Sequence, residues 1–307
     1  MLSPESNNLQ ERNLGLHEQF RHPKKIETVD GPLMIHEIIP ENDREIPVFI
    51  SSGFTQGADT IEPIAVGLAD KGDRRVIFPD LPHGNPSSVR DRELWNESEY
   101  HHGKAMTIIK TLEEIDISKT DIVGHSEGCI SIIFAAALYP EKFRNIVLVN
   151  PAGLIGKDSL LATAKRFLKN LRVSAEQVKQ DQAVAEVSKL GKPERDGNFK
   201  KDLKKTYNSA KSITMTELEE IMAIVVSKGI KISIIHTEDD NIFPLERVKA
   251  MNDRYAKKNS FDKDFDPEKE KLVDHFYTVS GIHNDFYLKP EVSTTNITKA
   301  LDTMDKE

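Results

Sequence analysis

Gly124-His125-Ser126-Glu127-Gly128 follows the pattern G-x-S-x-G, a strand-to-helix turn so sharp that it lifts the serine hydroxyl clear of a sheet. Glycines at minus two and plus two suit a turn in which side chains would crowd. The pattern alone decides little, because about one chain in ten of this length would carry it by chance, with Gly and Ser each near ~7% of residues. Its flanks decide. Asp121-Ile122-Val123 reads as the end of a short buried strand, and Cys129 to Leu138 reads as a buried helix. Strand, turn and helix are the setting that the pattern requires.

Outward from this turn, short apolar runs alternate with helical sequence. The runs are Ile46 to Ser51, Arg75 to Phe78, Asp121 to Val123 and Ile146 to Val149, followed by Lys231 to His236 and His275 to Val279. Ahead of them, Lys25 to Val29 and Leu33 to Ile39 flank Asp30-Gly31, a β-hairpin signal. A hairpin leading into repeated strand–helix units predicts an α/β fold, with a mostly parallel, doubly wound sheet covered on both faces. Ligands in such sheets bind at the carboxyl ends of the strands. Residues 1–24 read as a polar, irregular arm, and 25–155 with 223–307 as the core. Between them, 156–222 holds no convincing strand and reads as a helical cap inserted over the strand ends.

Composition narrows the function classes. The chain has 307 residues, a formal net charge of −8 and one cysteine, Cys129. The charge argues against a nucleic-acid binder. A single cysteine allows no internal disulfide and no Cys-based metal site, which fits a cytoplasmic protein. The N-terminal stretch has no apolar h-region, and no apolar run is long enough to span a membrane.

A serine hydroxyl becomes a competent nucleophile when an imidazole takes its proton, and the imidazole is held by a carboxylate. Three acids, Glu238, Asp239 and Asp240, follow the run at 231–236, and His283 follows the run at 275–279. His275 lies inside that last run and reads as a packing or edge histidine; His36, in the hairpin, is the other competitor.

With these residues in hand, the chain resembles the α/β-hydrolases that carry a helical cap. Asp80-Leu81-Pro82-His83-Gly84-Asn85-Pro86-Ser87 is similar to that family's loop after the fourth strand, one residue short. Leu138-Tyr139-Pro140-Glu141-Lys142-Phe143 resembles its approach to the sixth strand. The acid segment resembles G-x-x-D-x-x-x-P, where Pro244 at plus four selects Asp240. The resemblance covers roughly residues 25–155 and 228–300. It implies a Ser126–His283–Asp240 triad, with an oxyanion hole made by the backbone N–H groups of Glu127 and Phe54. The family commonly has His-Gly where this chain has Ser52-Gly53; the donor there is main-chain.

The function these readings imply is hydrolysis of a carboxylic ester through an acyl-enzyme, with no cofactor and no metal. A serine at the turn argues against the relatives that use aspartate there. The same triad would also serve a C–C bond hydrolase, a thioesterase or an acyltransferase, and the fold could persist as a non-catalytic ligand-binding module. Within the cap, Leu160, Leu161, Ala164, Phe167, Leu168 and Leu171 recur at helical spacing, with Lys165, Arg166, Lys169 and Arg172 opposite. This stripe reads as a lid over the site in preference to a membrane-lying face, and implies a small-molecule ester with an apolar acyl part. Oligomeric state is open. His101-His102 reads as a solvent-exposed pair. Asp262 to Asp266 imitates an EF-hand start, but Pro267 and Val273 occupy the positions that need Gly and Glu, so it reads as a charged loop.

Overall fold

The computed structural model describes residues 4–28, 31–53, 56–80, 99–181, 211–262, 265–266 and 270–306. Among the described residues eight strands form one sheet: β1 (Lys24–Thr28), β2 (Gly31–Ile38), β3 (Val48–Ser51), β4 (Val76–Pro79), β5 (Thr120–His125), β6 (Phe143–Val149), β7 (Lys231–Thr237) and β8 (His275–Val279). Their order is β1-β2-β4-β3-β5-β6-β7-β8. The β1/β2 hairpin is antiparallel, with Thr28 opposite Gly31, and β2 is antiparallel to β4. Every other pairing, from β4 through β3 and β5 to β8, is parallel.

The central strands read as continuous apolar runs because both sheet faces are covered. Alternate side chains enter opposite cores. Phe49, Ile77, Ile122, Ile146, Leu148 and Ile234 join one cluster, while Val48, Ile50, Phe78, Val123, Val147 and Ile235 join the other. The first core is closed by helices α3 (Glu99–Glu114), α4 (Gly128–Leu138) and Glu219–Ser227. The second is closed by α2 (Ala58–Gly72) and the helix Pro290–Met304. Between β6 and β7 the described residues contain helices and no strand, the longest being α5 (Leu160–Gln180). Among the described residues no helix is long and apolar enough to cross a membrane.

Residues 4–21, expected to be irregular, form a helix, α1 (Pro4–Arg21). Its polarity concealed it: among its described side chains only Leu16 and Phe20, one turn apart, enter the second core. Tertiary charge pairs do the rest. Arg12 reaches Asp70 and Asp73, while His17 and Arg21 both meet the buried Glu62 carboxylate. His36 Nδ1–H donates to the Phe20 carbonyl at 2.8 Å, and the two rings stack with centroids 4.7 Å apart. His36 is therefore a packing residue under α1. Phe20→Ala is expected to cost about 3 kcal/mol, the range for truncating a buried phenylalanine. A urea melt checks this, and limited proteolysis should then cut first within α1.

Candidate active site

The turn at Gly124–Gly128 joins β5 to α4, as its pattern requires. Ser126 has φ +52°, the left-handed region that non-glycine residues rarely occupy. The conformation is held by hydrogen bonds from Ser126 N–H to the Val149 carbonyl and from Ala152 N–H to the Ser126 carbonyl. A Cβ on Gly128 would lie 2.4 Å from the Ser51 carbonyl oxygen, and one on Gly124 would lie 2.7 Å from Ile132. Gly128 lets the turn sit against the end of β3, and Gly124 lets β5 pass close to α4.

Three side chains from three strand ends meet here. Asp240, after β7, accepts at Oδ1 from the N–H groups of Ile242 (2.7 Å) and Phe243 (2.9 Å), which aim its other oxygen. That oxygen, Oδ2, is 2.7 Å from Nδ1 of His283, which follows β8. A carboxylate only accepts, so the imidazole proton lies on Nδ1 and Nε2 presents a lone pair. Nε2 is 3.0 Å from Ser126 Oγ, which can donate to it. All three residues are buried, and Phe243 packs edge-on against the His283 ring at 5.3 Å.

A second set of groups braces these three. Asn150, just past β6 and itself at φ +45°, donates from Nδ2 to the His283 carbonyl. Its Oδ1 accepts from Thr237 N–H and Oγ–H, tying the His283 loop to β7. His125 stacks on Phe286 with centroids 4.2 Å apart. Its Nε2 faces the His283 carbonyl at 3.3 Å, and its Nδ1 faces Gln56 Oε1 at 3.0 Å. The same Gln56 oxygen accepts from Gly53 N–H at 2.8 Å. Burial, then the neighbouring His283, holds His125 well below the usual histidine range. The ring is neutral, with one N–H to give to either oxygen. Gln56, His125 and Asn150 were not singled out in sequence, although Asn150 sits just after a strand, where functional residues gather.

Glu127 follows the serine and begins α4 with a helical φ of −61°. Its carboxylate is fully buried, 2.9 Å from Lys104 Nζ and 3.8 Å from His101 Nδ1, both on α3. Of the pair read as solvent-exposed, only His102 is exposed, packing its edge on Phe134. His101 is buried, because α3 turns it toward the serine's neighbour instead of outward. Burial and the Lys104 charge push its pKa well down. Cys129 is buried against the Val149 carbonyl, and burial pushes its thiol pKa up. Phe54 and residues 81–87 of the loop after β4 lie outside the described residues, as do 182–210 of the expected cap and part of the EF-hand-like stretch.

Helix α5 corrects one expectation. Its supposed lid stripe faces outward: Leu161, Phe167, Leu168 and Leu171 are exposed, Leu161 to 68%. The buried direction carries Thr163, Asn170 and Ser174 instead. Polar contacts to the site loops decide the orientation, since Arg166 Nε–H donates to the Ile242 carbonyl at 2.8 Å and Asn284 Nδ2–H donates to Ser174 Oγ at 2.8 Å. Asp158 anchors the helix start through Arg166, Thr163 and Arg247. Partial burial pushes that carboxyl up, but Arg166, the Ser159 N–H and Arg247 draw it below the usual range. With the apolar stripe in the open, the basis for an apolar acyl group is gone.

Comparison with known proteins gives this architecture its relatives. Residues 46–273 match the family described as the alpha/beta hydrolase fold. A thermophilic esterase from Thermogutta terrifontis superposes with a TM-score of 0.63 at 16% identity, covering 92% of this chain and 99% of that one. A carboxylesterase structure from Nitrososphaera gargenis superposes with a TM-score of 0.59 at 14% identity, covering 92% and 99%. In sequence, the acetyltransferase component of an acetoin cleaving system from Pseudomonas putida is 30% identical over 109 residues, 35% of this chain. The chain spans 27% of that relative's length. The match extends over most of the chain, and strand order agrees with it: this protein belongs to the alpha/beta hydrolase fold family.

Proposed function

We propose that this protein is a serine hydrolase that cleaves carboxylic esters through an acyl-enzyme, with Ser126 as nucleophile, His283 as general base and acid, and Asp240 as the group orienting His283. One observation carries the reading: the unbroken hydrogen-bond line Asp240–His283–Ser126, buried at the carboxyl ends of β5, β7 and β8. A buried imidazole with its proton pinned toward a carboxylate can only accept at the other nitrogen, which is what a serine nucleophile needs.

In the first half-reaction Ser126 Oγ bonds to the ester carbonyl carbon as its proton passes to His283 Nε2. The backbone N–H groups of Glu127 and Phe54 receive the developing oxyanion. The carbon–alkoxy bond then breaks, and the alcohol leaves with the proton from His283. Water adds to the acyl carbon, His283 takes its proton, and expulsion of Ser126 Oγ, reprotonated by His283, frees the acid. Asp240 stabilises the imidazolium formed in each half. Residues 156–222 act as a cap, with α5 as the part lying across the Asp240 and His283 loops. The esterase relatives support the substrate class without identifying a particular ester.

The test is steady-state hydrolysis of p-nitrophenyl esters from acetate to palmitate, with mass-spectrometric mapping of a fluorophosphonate adduct. Turnover with the adduct on Ser126 is expected. Neither turnover nor adduct would overturn the reading.

A further inference from the structure

Asn170 is the centre of the buried face of α5. Thr163 and Gln177 lie seven residues to either side, so they project within about 20° of it, and Arg166 and Ser174 within about 40°. Those last two are the contacts that hold the helix over the site. Arg166 reaches the carbonyl of Ile242, two residues past Asp240, and Ser174 meets Asn284, the residue after His283. Asn170 stands midway between them, so its side chain leaves the helix on the face set against the Asp240 loop and the His283 loop.

Its environment is unusual for an amide. Asn170 is 0% exposed, and neither Oδ1 nor Nδ2 has a hydrogen-bond partner. Gln177 Oε1, on the same face, is likewise buried without one. A buried amide lacking partners is a destabilising element, since water would satisfy what the protein leaves unmet. Leucine repeats its branched shape with two methyl groups and would carry no unmet polar atoms. An amide between the two loops that carry Asp240 and His283, with both a donor and an acceptor unspent, is placed to receive a ligand's polar group.

We propose that Asn170 is a substrate-binding residue, hydrogen-bonding a hydroxyl or carbonyl group carried by the ester, so that the site selects polar esters over aliphatic ones of the same shape. The inference rests on the ester-hydrolase reading and deepens it by naming the substrate class. It also replaces the apolar acyl group expected from the outward stripe. A site built to hydrogen-bond a substrate discriminates strongly against the analogue lacking that group, because the protein's own polar atoms are then stranded.

The experiment compares matched esters in which hydroxyl groups replace methyl groups, one on the acyl side and two on the alcohol side. On the acyl side these are p-nitrophenyl 3-hydroxybutyrate and p-nitrophenyl 3-methylbutyrate. On the alcohol side they are 2,3-dihydroxypropyl butyrate and 2-methylbutyl butyrate. The wild-type protein is expected to favour the hydroxylated member in at least one series, by about tenfold or more in kcat/KM. In Asn170→Leu that ratio should fall toward one. The thermal midpoint should hold or rise, because an unpaired buried amide has been replaced by an apolar isostere; a structural role for Asn170 would lower it instead. Turnover with the same ratio in wild type and Asn170→Leu, or a lowered midpoint with an unchanged ratio, would overturn the inference alone. Absence of ester turnover in the wild type would overturn the parent reading, and this inference with it.

Discussion

Ser126→Ala is expected to lower ester turnover by a factor on the order of 10⁴ to 10⁶ while leaving the thermal midpoint nearly unchanged. The size follows from what is lost: with no Oγ there is no acyl-enzyme, and the imidazole can only assist water. The unchanged midpoint follows from the backbone. Alanine inherits the positive φ of Ser126 and the same strain, and the bonds to Val149 and from Ala152 are main-chain. Ser126→Gly separates the two effects. It should be equally inactive, yet stabilised by about 1 kcal/mol as the left-handed conformation loses its steric cost. Steady-state rates and thermal melts of the three proteins, run together, check both statements. Ser126→Ala turning over within tenfold of wild type would take Ser126 out of the chemistry.

Asp121→Ala should be the most destabilising single change, costing about 3–5 kcal/mol, because it strands buried charge. Asp121 begins the apolar run of β5 and is fully buried. One oxygen accepts from Arg144 Nε–H at 2.8 Å and from Asn145 N–H at 3.2 Å; the other accepts from Arg144 and from Arg74 at 3.2 Å. Arg74 is itself buried, and its Nη2 donates to Asp302 at 3.0 Å and to Asp305 at 2.7 Å. The alanine variant would leave a guanidinium inside the protein facing a void. A lower urea midpoint with an unchanged slope is the expected signature. The double variant with Arg74→Ala should recover part of the loss, since the guanidinium that lost its buried partner goes too. A midpoint equal to wild type would mean that water replaces the carboxylate without cost.

The fold was legible where physics is local or repetitive. Strands β3 to β7 are covered on both faces, so they wrote themselves as apolar runs, and each run matches a strand to within a few residues. Ser126 and His283 could be named because strand ends are where a parallel sheet exposes its loops, while Asp240 was singled out from Glu238 and Asp239 by the family resemblance, through Pro244. The rest depended on partners distant in sequence. Helix α1 has too few apolar residues to announce itself and exists through Glu62, Asp70 and His36. The orientation of α5 turned on Ile242 and Asn284, some 76 and 110 positions away from the residues that meet them. Two stripes were present in that helix, one apolar and one polar, and hydrophobicity alone favoured the wrong one. The burial of His101 likewise required knowing that α3 passes behind Glu127.

The cluster around Asp121 has a consequence for biosynthesis. Arg74 is made early, but the acids that complete its neutralisation, Asp302 and Asp305, emerge some 228 and 231 residues later. The helix that carries Asp302, Pro290–Met304, also covers α2, with Thr294 set against Gly67. A nascent chain at ordinary elongation rates, roughly 5–20 residues per second, therefore spends on the order of ten seconds or more with the second core lacking its closing helix. Until residues 290–305 have left the exit tunnel, that face of the sheet should stay open, and during that interval the chain would be a client for holdase chaperones.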